Sequence, residues 1–483
     1  MGLRAAAVVL RVAPRMPRMP AVTSPTGVPS LRLRSRHVVT PDGVLDAVVE
    51  VEAGRIAAIR PADSAPAADT ADLGDLWLLP GLVDTHVHLN DPGRADWEGF
   101  PNGTRAAAAG GVTTLVDMPL NSVPATCSAE SLAAKLAATR DRCHVDVAFW
   151  GGVIPGNVEA LEGLAAAGVR GFKCFLSPSG VGEFPNVVEA DLRAAMPVIA
   201  RLGLPLLAHA EDPRVLAAAE THERARGFDE RSHTAWQATR PPEAECEAIA
   251  MLVRLSQETG CRVHIVHVSA AEALPKIREA RRAGLPISAE TCPHYLVFDA
   301  QAIREGATSF KCAPPIRGRA NREALWAGLI GGDLDMVATD HSPCPPEMKL
   351  PMEGDFMLAW GGIASLEMAL SAMATEADLR GVSFPDLMRW MSAAPAKLAG
   401  LEARKGAIAV GRDADLVAFD PDVMWVVDPG TLHQRHKVTP YAGRTLRGRV
   451  VATWLRGELV QRDGEFEKER RGACILDVPA AFR

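Results

Sequence analysis

The sequence predicts an α/β chain: a closed (β/α)8 (TIM) barrel carrying a small discontinuous β-sandwich built from its N- and C-terminal segments. Three observations point there. Short apolar runs of the buried parallel-strand type recur eight times between Leu82 and Ala403, separated by Ala/Leu/Glu/Arg-rich segments with helical spacing. Both ends of the chain instead show alternating patterns broken by tight turns. The 483 residues suffice for one large and one small domain at roughly 150 residues per domain.

Residues 1–30 stand apart as a disordered or mis-started extension, with Arg4, Arg11, Arg15 and Arg18, five prolines and no acidic residue. An Arg-rich transit peptide is the other reading of that composition. From 31 to 79 the chain reads as the first part of the sandwich: strands at Leu31–Val39, Val44–Val51 and Arg55–Ile59, joined at Pro41-Asp42-Gly43 and Ala53-Gly54. The barrel occupies 80–403. Its strands are Leu82–Val87, Val112–Met118, Val145–Trp150, Gly171–Phe175, Pro205–Ala210, Arg262–Val268, Pro286–Thr291 and Met336–Thr339. Helices are expected at Phe100–Gly110, Glu130–Arg140, Val158–Ala167, Ala190–Leu202, Glu243–Thr259, Ala271–Ala283 and Arg322–Leu329. An open doubly wound sheet is the competing arrangement, but the chain carries no evident phosphate loop for one. Residues 404–483 hold the second sandwich part, with Leu416–Phe419 and a hairpin at Val450–Leu455 and Gly457–Gln461. The last twenty residues read as an oligomer arm or tail.

Composition narrows function. Hydrophobic residues make up 48% and charged residues 23%, the balance of a globular protein. The net charge of -7 disfavours a nucleic-acid partner, which calls for a basic stripe. No apolar run reaches the roughly 20 residues that span a bilayer, so no membrane partner is expected. Nine scattered cysteines with no CxxC spacing read as free thiols in a reducing compartment, the cytoplasm.

The chemistry gathers at strand ends. Asp84-Thr85-His86-Val87-His88 closes the first barrel strand, and residues two apart point the same way. In a parallel barrel that is the C-terminal mouth, where catalytic groups collect. Taken alone, such a pair is as readily two polar residues finishing a strand. Lys173 sits inside the apolar run Gly171-Phe172-Lys173-Cys174-Phe175, where a charge is costly unless removed or paired. Carbon dioxide uptake to a carbamate is one solution; an ion pair or a snorkelling stem is another. His209, His267 and Asp340 end the fifth, sixth and eighth strands. By strand alternation His264, three residues before His267, faces the opposite side, His341 is out of phase with Asp340, and His144 begins its strand at the wrong end. None of these three is expected to be a ligand. Imidazoles with carboxylates suit zinc or a related divalent ion such as iron, manganese, cobalt or nickel. Two ions about 3.5–4 Å apart would polarise an amide carbonyl and activate water near neutral pH.

These residues resemble the cyclic amidohydrolase branch of the amidohydrolase superfamily over roughly Leu31 to Val460. The resemblance implies a binuclear centre: His86, His88 and Asp340 on the deeper ion, His209 and His267 on the shallower, and carbamylated Lys173 between them. Thr439-Pro440-Tyr441-Ala442-Gly443 matches the family's entry into its C-terminal strands. Within the branch, the arginine that dihydroorotases carry after the histidine pair is missing from His88-Leu89-Asn90. The tyrosine that hydantoinases and dihydropyrimidinases carry five residues beyond the lysine is Pro178 here. The remaining runs are similar to allantoinases: Asn90–Arg94 with Trp97–Phe100, Glu290–Tyr295, Lys311–Arg317, Asp340–Lys349 and Ala359–Ser365. That resemblance implies hydrolysis of allantoin to allantoate in a homotetramer. Asp340 acts as base and then acid, and Asn90, Ala313, Ser342 and Gly361 are the candidates for reading the substrate. A hydantoinase-type activity is the alternative. A non-enzymatic scaffold relative is disfavoured, because every ligand position is filled.

Overall fold

The computed structural model describes residues 30–64 and 70–476, so the N-terminal extension and the last seven residues lie outside it. Ser30–Thr40, Gly43–Glu52 and Arg55–Pro61 form an antiparallel meander. Trp77–Pro80 lies parallel to the first of these and antiparallel to Leu416–Val426, with Leu79 opposite Val417. This pairing joins the two chain ends. Thr445–Leu455, Glu458–Arg462 and Glu465–Phe466 extend the same sheet, which counts nine strands with the short Ala71–Asp72. It curls until its far turn meets its near end: Ala414 N–H donates to the Gly54 carbonyl (2.9 Å), and Gly457 N–H donates to that of Ala414 (2.8 Å). Leu33, Val49, Leu78, Leu416 and Trp454 fill the space inside.

The eight barrel strands run in the expected order, parallel throughout. Val116, Ala148, Leu207 and Met336, from four different strands, form one apolar cluster within the barrel with Val266, which directly follows a fifth. Leu206 and Val263 belong to the outer cluster with Ile249, Leu252 and Ile277 of the surrounding helices. Each strand is thus buried on both faces, which explains the unbroken apolar runs. Closure is made high in the barrel, where Val87 bridges His341 and His88 N–H donates to the His341 carbonyl at 2.8 Å.

Three features depart from the sequence reading. The third strand is split: Asp146–Phe149 pairs with the second strand, whereas Gly151–Gly152 pairs with the fourth. A Cβ at Gly152 would come within 2.5 Å of Phe184 and 2.6 Å of Cys127, so the close approach demands glycine. The expected C-terminal tail is, over residues 472–476, part of the barrel wall. Val147 N–H donates to Ala473 and Ile475 N–H donates to Val147, both at 2.9 Å. Finally, two helices that sequence reading missed, Pro213–Ala225 and His233–Ala238, lengthen the excursion between the fifth and sixth strands.

Candidate metal centre

His86 and His88 leave the first strand on its inner side. Their Nε2 atoms lie 3.3 and 3.6 Å from the same oxygen, Oδ1 of Asp340 at the end of the eighth strand. Among the described residues these three side chains form one of two groups whose ligand atoms all lie within 4.8 Å. The other, Asp146 with Asp413 and Asp415, is closed by the Lys405 ammonium at 2.7, 3.0 and 2.7 Å and is an ion-pair cluster at the opposite end of the third strand. Beside the first group, His209 Nδ1 faces His267 Nε2 at 3.0 Å, and the His267 ring lies 5.3 Å from that of His86. All five predicted imidazole and carboxylate positions therefore converge at one mouth.

Two of them arrive by local backbone geometry. His267 has φ +40° and Asp340 φ +46°, the left-handed region that side chains with a Cβ seldom enter. Such residues cluster at functional sites because the surrounding fold compels them. The turn at His267 also corrects one expectation. His264 does not face away from the site: strict alternation stops at Ile265, so His264 points into the barrel and the turn brings His267 in after it. His264 Nε2 lies 3.1 Å from Glu290 Oε2 and its Nδ1 lies 2.8 Å from Ser288 Oγ, one layer below the ligand atoms. His341 has no place in either group. Its Nδ1 accepts from the Ser365 and Leu366 amides at 3.2 and 3.3 Å.

Lys173 is fully buried, and its Nζ has no hydrogen-bond partner among the described residues. It lies over the Phe175 ring at 4.9 Å. Burial pushes the amine down to about 8, against the pull of Asp340 and Glu290. Burial likewise lowers His88, His209 and His267, which keeps them neutral, the ligand form of imidazole. Burial alone would raise Asp340, but His86, His88 and His267 hold it well below the usual carboxylate range.

Sequence reading missed two carboxylates behind these imidazoles. Glu290 Oε1 stands 2.5 Å from His86 Nδ1, and Glu211 Oε2 stands 2.7 Å from His209 Nε2. Each leaves the opposite ring nitrogen turned toward the site. Burial works against ionisation of both, yet His86 and His264 hold Glu290, and Arg240 and His209 hold Glu211, at about 2. The signal was present: Glu211 follows His209 by two positions, and Glu290 lies in a strand otherwise apolar enough to be buried.

The mouth opens into a cavity of about 350 Å³ lined by His86, His88, His209, His267 and Asp340. Ala313, Ser342 and Gly361 also line it. Asn90 does not; its amide donates to the Pro343 carbonyl at 3.3 Å, and Asn121 takes a place in the wall instead. The loop after the eighth strand roofs the cavity. Buried Lys311 donates to the Met357 (2.9 Å) and Ala359 (2.5 Å) carbonyls, and Lys349 to those of Trp360 (2.9 Å) and Gly362 (2.5 Å). Trp360 meets Trp97 edge-on, ring centroids 4.9 Å apart.

The donor set fits a pair of divalent ions. It offers four imidazoles, one ionised carboxylate and a buried amine with no hydrogen-bond partner among the described residues, on a scaffold with carboxylates behind two of the rings. A barrel with such a mouth defines the class of metal-dependent hydrolases. The sequence profile of the amidohydrolase family matches residues 77–460, and the chain belongs to that family. It is 51% identical to an allantoinase of Streptomyces avermitilis over 93% of this chain and 99% of the relative. With an allantoinase of Arabidopsis thaliana it shares 44% over 92% and 90%, and with one of Saccharomyces cerevisiae 43% over 83% and 86%. Among solved structures it superposes on the L-hydantoinase (dihydropyrimidinase) of Arthrobacter aurescens with a TM-score of 0.87, at 32% identity, covering 92% and 99% of the two chains.

Proposed function

We propose that this chain hydrolyses the ring amide of allantoin to allantoate, an allantoinase activity in purine (ureide) breakdown. The observation that carries the reading is the convergence of His86, His88, His209, His267 and Asp340 at one cavity mouth, with buried Lys173 beneath it over the Phe175 ring that stacks on His209. High identity to allantoinases over nearly the whole chain supports the choice of ring. In this reading His86, His88 and Asp340 would hold one ion and His209 and His267 the second, and Lys173, as its carbamate, would supply a carboxylate to the pair. Zinc suits the set; iron, manganese, cobalt and nickel share the preference for nitrogen and oxygen donors. When bound, the ions supply Lewis acidity toward a ring carbonyl and make water a nucleophile near neutral pH.

The protein's own groups do the rest. Asp340, held ionised, accepts the proton as the water oxygen attacks the ring carbonyl carbon. It returns that proton to the ring nitrogen as the C–N bond breaks, which opens the ring to one chain with N–H at one end and, once the remaining acid proton passes to solvent, a carboxylate at the other. Ala313, Ser342 and Gly361 border the space that the ring and the ureido arm would fill. The roof held by Lys311 and Lys349 limits water access.

Purified protein incubated with allantoin should release allantoate, with much lower rates on hydantoin, dihydrouracil and dihydroorotate run in parallel. Turnover of hydantoin or dihydrouracil alone would favour the hydantoinase-type alternative. Among the described residues no helix is long and apolar enough to cross a membrane. All nine cysteines are free, which supports a cytoplasmic site of action. A homotetramer is the assembly we expect, and sedimentation of the purified chain tests it.

A further inference from the structure

Arg240 touches both halves of the site. Its Nε donates to Glu211 Oε1 at 2.9 Å and its Nη2 to Oε2, a two-point fork on a fully buried carboxylate. The same Oε2 holds His209 Nε2 at 2.7 Å, which leaves His209 Nδ1 facing His267. The third nitrogen of the fork, Nη1, has no partner among the described residues, and Arg240 lines the cavity. Its guanidinium lies over Trp236 at 5.1 Å, and its carbonyl accepts from Arg317 Nη2 at 3.1 Å, so both its ends are fixed.

We propose that Arg240 and Glu211 act as one unit joining the substrate cavity to the His209–His267 ion site. Glu211 is a positioning residue that keeps His209 Nδ1 turned to the ion. The free Nη1 of Arg240 donates a hydrogen bond to an oxygen of the bound substrate. A guanidinium offers donors only, so its partner must be an acceptor. A lone arginine would favour a carboxylate, but here Glu211 cancels the charge, and the pair suits the carbonyl of an uncharged ring or urea group. The absence of an arginine after His88 selects in the same direction. This inference rests on the two-ion reading above.

The test uses the parent enzyme as purified with its metal, and the variants E211A, E211Q and R240K. Ions per chain are measured after graded dialysis against a chelator, and kinetics on allantoin with zinc saturating. The parent should keep two ions. E211A and E211Q should lose one of the two at a chelator concentration lower by about 10–100-fold, the usual cost of removing a carboxylate behind a ligating histidine, while the second ion stays. R240K, zinc-saturated, should show KM raised about tenfold with a smaller change in kcat, as loss of one charged donor implies. Should E211A fold poorly, the near-isosteric E211Q carries the metal test. Parental retention of both ions in the Glu211 variants, or a parental KM in R240K, overturns the proposal. A parent that binds no ions overturns the two-ion reading instead.

Discussion

His209 Nδ1 and His267 Nε2 face each other across 3.0 Å at the barrel mouth, with His209 locked from behind by Glu211. Both rings are pushed by burial toward the neutral form, so two imidazoles in the form that binds a metal ion meet at the mouth. Replacing either histidine by alanine should lower kcat/KM on allantoin by at least about 10³-fold, given the several kcal/mol that a Lewis acid contributes. Steady-state kinetics with metal analysis checks this, and the melting temperature of the metal-free variant should match that of the metal-free parent.

Metal removal should silence the enzyme without unfolding it. The apolar clusters of barrel and sheet contain none of the six residues proposed to hold the ions. Exhaustive chelation should therefore abolish turnover, leave the far-ultraviolet circular dichroism unchanged and lower the melting temperature. Readdition of zinc with bicarbonate should restore activity.

Reconstitution should depend on pH in a stated direction. Carbamate formation needs the neutral amine, and burial holds Lys173 at about 8, below the ordinary lysine value. Recovery of activity by the metal-free chain should quicken as pH rises from 6.5 toward about 8.5 and then level off. Stopped assays at fixed dissolved carbon dioxide and zinc measure it, and a rate that falls over this range would exclude the amine as the titrating group.

Gly362 shapes the roof. A Cβ there would sit 2.2 Å from the Ser342 carbonyl oxygen, so Gly362→Ala must displace the loop that carries Trp360 and Gly361. Misplacing cavity walls by about an ångström costs on the order of 10²-fold in rate. Kinetics should show that loss with both ions retained.

The ion-pair cluster at the far end of the barrel should be structural. Lys405→Met would leave Asp146, Asp413 and Asp415 buried around no cation, apart from Arg404 and Arg456 at the edge. Breaking a buried pair in this way costs about 3–5 kcal/mol. Urea denaturation should show a loss of that order, with KM for allantoin unchanged in the folded fraction.

The sequence carried the barrel because strands buried on both faces leave unbroken apolar runs, and it pointed to the six chemical positions because five lie at the ends of such runs and Lys173 is a charge inside one. It could not carry His264, since period-two reasoning assumes extended backbone and His267 turns left-handed just beyond the strand. Asn90 was misplaced for a related reason. At φ +63° its side chain leaves the line of the first strand and engages Pro343, so Asn121 reaches the wall instead. Glu211 and Glu290 were legible as buried acids, but their partners are set by tertiary contacts up to 204 residues apart. The bridge from Cys474 to Val147 had no local signal, because its partner is the bared edge of a split strand.

If Lys173 takes up carbon dioxide to join two ions, Lys173→Ala should remove the link. Assayed for allantoin hydrolysis with metal content measured alongside, this variant should bind fewer than two ions and turn over at a small fraction of the parental rate. Millimolar acetate or propionate, standing in for the missing carboxylate, should restore part of both. Full activity in the variant without any added acid, or with no metal bound, would contradict the account.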